Sequence, residues 1–277
     1  MIISVLLLLI YMAFASLGLP DGVMGVAWPL MYVEFDVPLS FISIMSIPGT
    51  IGAVTSSLFV GKLLKKFKPV HIVIVSCFLT GLSLIGYSFA SNIWVMILLN
   101  FPFGLGAGGV DATLNDYVSK HFTAKHMNWL HAAYGVGTTI GPFIMTQVIA
   151  HLNNWRPGHR LVGFMQILLG IIFILTISVW TKAKPFLKNN SQEQSSNVAS
   201  VKVRNPKLTI ARLVAAFVIY TGMEAVIVTW IASYFNIGLG FSLVTAGNMS
   251  TVFFASYVTG RILSGVVVEK LTIKGTI

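Results

Sequence analysis

Charge is scarce in this chain. Of its 277 residues only 9% are charged, and only eight are acidic. An ordinary soluble domain carries about 25% charged residues, so a water-facing globular surface is excluded for most of the molecule. Cysteine is nearly absent. The single Cys77 leaves no disulfide framework and no cysteine-based metal site. Histidine–glutamate metal spacing, a Ser/His/Asp arrangement and a phosphate-loop pattern are also missing. An enzyme is therefore not expected, nor a metal or organic cofactor. The run GLGAGG is glycine-rich, but no strand precedes it, which argues against a nucleotide cradle. A net charge of +10 raises the question of nucleic acid. The basic residues, however, fall in short clusters between apolar runs, the pattern of loops beside a lipid bilayer.

What the chain has is apolar length. It is 56% apolar, with a mean hydropathy of +0.84. Stretches of about 17–25 apolar residues cross a bilayer as helices, and eight such stretches are predicted. They cover residues 3–32, 40–62, 70–90, 93–119, 127–150, 160–181, 209–235 and 242–268. The fold class expected is an all-α membrane bundle. The first run lacks a basic leader and continues into Asp21, unlike a cleaved signal peptide. Lys62, Lys65, Lys66 and Lys68 lie between the second and third stretches, and Lys120 and Lys125 between the fourth and fifth. Seven more basic residues lie from Lys182 to Arg212, whereas the first loop holds Glu34 and Asp36. Only Arg156 and Arg160 break this bias, which places the N-terminus in the cytoplasm and Lys270 and Lys274 on the same side.

Residues 183–208 are polar, rich in Ser and Asn and without apolar period, and read as a cytoplasmic linker. The chain divides accordingly into a six-helix unit, 1–182, the linker, and two further helices within 209–277. The segments 47–67 and 251–271 align at a constant offset of 204, which pairs Gly61 with Gly265, Lys66 with Lys270 and Thr55 with Thr259. Helix two then corresponds to helix eight, as in a duplicated six-helix unit, and the linker falls where that duplication predicts.

Carboxylates at membrane depth are costly and by default mark a path for ions, protons or polar solutes. Asp111 lies in FPFGLGAGGVDATLNDYV, and Asp21 in SLGLPDGVMGVAWP. Gly104, Gly108, Asp111 and Asn115 share one helical stripe at steps of three and four. Asp116 stands one position off that stripe and four before Lys120, the spacing of a surface ion pair. Glu224 and Tyr220 share a face of helix seven, and His131 lies near the start of helix five.

Four segments carry a resemblance to a known family: LPDGVMGVAWP, GLGAGGVDATLND, MNWLHAAYGVGTTIGP and YTGMEAVIVTWIASYF. With the six-helix unit, basic central loop and matching second unit, the chain resembles the major facilitator superfamily. Within it, the chain is similar to the proton-coupled sugar permease branch that includes fucose permease. The resemblance implies a bundle of two six-helix halves around a central cavity, here with about eight helices. It implies acids for proton coupling at Asp21 and Asp111, with Asn115 at the polar position that follows. Glu224, Tyr220, Trp230 and His131 are the further candidates for contact with a sugar or other small polar solute. The partners implied are that solute, protons and the bilayer of the plasma membrane.

Some positions depart from the pattern. The family's Gly-x-x-x-Asp-x-x-Gly turn here has Lys65 in place of the aspartate and Lys68 in place of the second glycine, while Glu269 holds the equivalent place after Gly265. Gly137, Gly141 and Pro142 in GVGTTIGP resemble the helix-five signature of drug–proton antiporters and also suit a close-packed helix. Efflux of amphipathic compounds by proton antiport is therefore a second reading. The chain stops at Ile277, just past helix eight, which looks like truncation of a twelve-helix protein. A product that transports nothing is the third reading.

Overall fold

The computed structural model describes residues 2–183 and 205–270. Of the linker expected over 183–208, residues 184–204 lie outside the described residues and Pro206–Leu208 already belong to a helix; Lys274 and the side chains of Gly265, Glu269 and Lys270 also lie outside the described residues. In chain order the long helices are α1 (Ile2–Glu34), α2 (Phe41–Leu63), α3 (Pro69–Tyr87) and α4 (Ile93–His121). They continue as α5 (Ala124–Leu152), α6 (Arg156–Leu175), α7 (Pro206–Ser233) and α8 (Leu243–Lys270). α6 pauses at Thr176 before helical backbone resumes over 177–183, and α7 ends in a π-helical turn, Tyr234–Gly238. Among the described residues there is no strand. Each of the eight sequence-predicted stretches lies on one of these helices.

Local chemistry sets the helix ends. Asn92 caps α4, its side chain accepting the Val95 N–H at 3.1 Å. Pro69 opens α3, where its missing N–H costs nothing. Asn153 ends α5 in the left-handed region at φ 47°, and Asp36 turns the chain after α1 at φ 52°. Short polar side chains tolerate that region best.

Six runs are long and apolar enough to cross a membrane: α1, α2, α3, α4, α6 and Pro206–Gly238. α5 and α8 are helices of comparable length but are not among these six. The reason is visible in α5. Its first turns carry Lys125, His126, Asn128 and His131, and it packs against α1 on one side and α8 on another.

α1 packs on α5, α6 and α7; α4 packs on α2 and α3; α3 also packs on α6. Two crossings are built from glycine. A Cβ on Gly137 of α5 would strike the Ala15 carbonyl of α1, and one on Gly18 would come within 2.7 Å of the Thr138 nitrogen. Between α2 and α4, a Cβ on Gly104 would strike the backbone of Gly49. Such small-residue faces let backbones approach and gain dispersion where lipid supplies no hydrophobic drive. The outward faces are apolar instead: Leu58, Leu98 and Leu175 are 74%, 74% and 76% exposed, a surface that water would disfavour and lipid accepts.

Two apolar cores occupy the two ends of the bundle. One gathers Leu6, Ile10, Phe14, Val73, Leu114 and Phe173. The other gathers Val23, Trp28, Met31, Met45, Tyr87 and Met96. α1 passes from the first to the second between Leu17 and Leu19, just before Asp21. At the far end of α1, Glu34 accepts from Trp155 Nε1 at 2.6 Å and pairs with Arg156, which also donates to the Ala90 carbonyl at 2.8 Å. Arg160 stacks 4.6 Å from the Phe89 ring centroid. The two exceptions to the basic bias are thus one neutralised cation and one seated on an aromatic face.

Candidate functional site

The glycine crossing of α1 and α5 brings Asp21 to Tyr134, whose hydroxyl donates to Asp21 Oδ2 at 2.7 Å. On α4, Asn115 Nδ2 donates to Asp111 Oδ1 at 3.0 Å across one helical turn. Gly108 and Gly104, one and two turns before Asp111, face α2 and seat that helix. Asp111 itself is exposed, beside α5 rather than under α2. His131 of α5 stands within electrostatic reach of Asp111, and its ring meets Phe14 edge-on at 5.7 Å.

The other side of the cluster comes from α7 and α8. Arg261 Nη2 lies 3.2 Å from Glu224 Oε2 and donates to the Tyr257 hydroxyl at 2.6 Å. It also donates to the Tyr220 hydroxyl, which in turn meets the Tyr257 hydroxyl. The guanidinium sits 4.5 Å from the Tyr257 ring centroid, adding a cation–π contact. His131 feels the charges of both Glu224 and Arg261, and Asp21 feels that of Glu224. Residues from α1, α4, α5, α7 and α8 therefore form one electrostatic group at mid-bundle.

Asp21 also lines a cavity of about 290 Å³ enclosed by α1, α2, α3, α4 and α7. Its polar lining includes Ser46, Thr50, Asn100 and Thr229, with Phe103 among the apolar walls. Tyr87 donates to Asn100 Oδ1 at 3.0 Å, and Asn100 donates to the Met45 carbonyl, so this wall is held rigid from below. The hydroxyls of Ser46, Thr50 and Thr229 each donate to a backbone carbonyl one turn back on their own helix. What they turn to the cavity is therefore acceptor capacity. Among the lining residues there is one carboxylate and no cation. Thr229 and Val228 lie one turn past Glu224 and Ala225 on α7, so the cavity and the charged group are stacked along the same helix.

Of the residues singled out from sequence, the fold brings together Asp21, Asp111, Asn115, His131, Glu224 and Tyr220. Trp230 packs instead against the apolar core that contains Trp28 and Met31. Asp116 pairs with Lys120 at 2.6 Å, as its spacing predicts. Gly137, Gly141 and Pro142 face Gly18, Leu19 and Gly22 of α1, which gives GVGTTIGP a packing role. Three members of the group escaped the sequence reading: Tyr134, Tyr257 and Arg261. Arg261 left a signal, since TVFFASYVTGRILSG places a guanidinium in an apolar run, a rare and costly arrangement. The repeat alignment directed attention to the glycines and lysine of that helix instead.

The sequence profile of the Major Facilitator Superfamily matches residues 5–277. The chain is 21% identical over 164 residues to the 4-hydroxybenzoate transporter PcaK of Pseudomonas aeruginosa, a match covering 58% of this chain and 36% of that protein. It is 22% identical over 186 residues to the glucose/mannose transporter GlcP of Bacillus subtilis, covering 66% of this chain and 45% of that one. The matched region thus spans less than half the length of either relative. An all-α bundle of membrane-length helices, matched by that profile almost from end to end, belongs to the Major Facilitator Superfamily, a family of multi-pass membrane transporters rather than enzymes.

Proposed function

We propose that this protein takes part in proton-coupled uptake of a sugar or other small polar solute by alternating access. The observation that carries this reading is the cavity beside Asp21, lined by hydroxyl and amide acceptors and one carboxylate, without a cation. A neutral solute rich in hydroxyl donors complements such a lining. A carboxylate solute, such as the one named for the hydroxybenzoate transporter, would meet Asp21 as a like charge, whereas a hexose, as named for the glucose/mannose transporter, would not. Phe103 offers an apolar face to the ring of such a solute.

Asp111 and Asp21 are the proton acceptors in this reading. A carboxylate inside a membrane bundle is expensive to carry through a conformational change, and a bound proton removes that cost. Proton and solute are coupled when each binds one of two states better than the other. Residues 1–182 would rock as one half against α7 and α8, along the seams α1–α7 and α5–α8. The lysine-rich ends would face the cytoplasm of a cell whose plasma membrane holds the protein.

The test is solute accumulation in proteoliposomes with an imposed proton gradient, using the protein expressed from its complete reading frame and a panel of hexoses and aromatic acids. A hexose is expected to accumulate, and Asp111→Asn to abolish accumulation. An Asp111→Asn protein that still concentrates solute on a proton gradient would sink the assignment.

A further inference from the structure

α2 and α3 both pack on α4, yet a groove remains between them. The glycines of α4 explain it. Gly104 and Gly108 lie against α2. Gly106 and Gly109 lie against α3, where a Cβ would come within 2.7 Å of the Ser76 carbonyl and 2.5 Å of its hydroxyl. At 3.6 residues per turn, Leu105 falls between these two glycine faces and becomes the floor of the groove. Phe59 and Leu63 of α2 form one wall, Val75 and Leu79 of α3 the other, and Phe67 and His71 stand at the mouth. The space measures about 680 Å³ and has no roof: Phe59, Phe67 and Val75 are 49%, 51% and 58% exposed. An apolar opening of this kind marks contact with a membrane or a partner.

We propose that this groove binds one anionic phospholipid, with an acyl chain along Leu105 between α2 and α3 and the phosphate held at the lysine-rich turn. Charge chooses this occupant. Lys62 Nζ lies 5.1 Å from the Phe59 ring centroid, so an ammonium stands over the groove wall itself. Lys65 and Lys66 follow, exposed, just before Phe67. Residues 61–71, GKLLKKFKPVH, contain no acid, and no carboxylate lines the groove. The positive charge is therefore available to an anion, and a basic site between membrane helices suits an anionic headgroup. Length agrees as well. From His71 to Leu79 α3 rises about 12 Å, close to the roughly 15 Å of hydrocarbon in one leaflet. The groove thus joins a place for a chain to a place for a phosphate, in the order in which a phospholipid presents them. This inference does not depend on the proton-coupled reading or on the cavity beside Asp21.

The test is native mass spectrometry of the protein from its complete reading frame, purified in mild detergent. It is offered equal amounts of phosphatidylglycerol and phosphatidylcholine with the same chains. One phosphatidylglycerol is expected to be retained in preference. Lys62→Gln and Lys66→Gln are each expected to lower that preference about fivefold. Val75→Trp, which fills the groove from its open side, is expected to bring phosphatidylglycerol down to the level of phosphatidylcholine. Leu98→Trp, on a lipid-facing surface outside the groove, is expected to change nothing. Equal retention of the two lipids by the wild-type protein overturns the proposal. Wild-type preference in Val75→Trp also overturns it, since the lysines would then attract anions without the groove. A dimer that Val75→Trp dissociates gives the groove to a second copy of the chain and overturns it too. If Val75→Trp fails to insert, Leu63→Trp fills the same groove from α2 and carries the test. Failure of both to insert shows packed space rather than a lipid site, and the proposal falls.

Discussion

A carboxylate inside a membrane helix is tolerable when a donor stands beside it, and Asp21 has one in Tyr134 at 2.7 Å. The bond exists because neither side chain has to reach. The glycine faces of α1 and α5 bring the two backbones close enough for a tyrosine on one to meet an aspartate on the other. Removing the hydroxyl leaves the acid without that donor. Tyr134→Phe is expected to lower stability by about 1 kcal/mol, the usual size of a polar contact between membrane helices, and to weaken solute uptake. Thermal unfolding in detergent and initial uptake rates check this; unchanged values in both would show that the bond is incidental. Asp111 is held differently, by Asn115 on its own helix. That spacing of four is visible in sequence, whereas the Tyr134–Asp21 and Glu224–Arg261 pairings join residues 113 and 37 positions apart.

At the scale of elements, the glycines divide into two kinds that sequence alone does not separate. Gly137 and Gly104 stand where another helix's backbone touches them, while a Cβ on Gly61 would meet nothing within 4 Å. Gly137→Leu is therefore expected to separate α1 from α5 and destabilise the fold by about 1–3 kcal/mol or more. Gly61→Ala is expected to stabilise α2 by about 0.5–1 kcal/mol through helix propensity. Melting midpoints of the two variants, measured side by side, decide the matter: equal shifts of the same sign would contradict the crossing described. The sequence showed that α4 and α5 carry small residues at four-residue spacing. It did not show that the partner of GVGTTIGP is α1, because periodicity identifies a face and not what lies against it.

For the whole molecule, the basic bias has a structural counterpart. Lys62, Lys65 and Lys68 gather at the turn between α2 and α3, while Glu34, Trp155 and Arg156 tie the opposite end. Cys77 is buried, so introduced cysteines at exposed loop positions report sidedness with little background. Lys65→Cys is expected to react with a membrane-impermeant maleimide only after the membrane is opened, and Asp36→Cys to react in intact cells. The reverse pattern would invert the topology and, with it, the direction proposed for the proton.

Composition and hydropathy by themselves determined the class: unbroken apolar runs of this length satisfy their backbone polar groups in lipid as helices, where the strands of a barrel would alternate. The positions of those helices, the family and most members of the charged group were also legible, because a carboxylate in an apolar run is conspicuous. The tertiary structure alone decided which charges are answered. Arg261 and Glu224 belong to different helices, as do Asp21 and Tyr134, and no local pattern reports such pairings. They arise from the angles at which glycine faces let the helices cross, and that geometry gives Glu224 a cation in ion-pair contact, whereas among the described residues Asp21 and Asp111 have none.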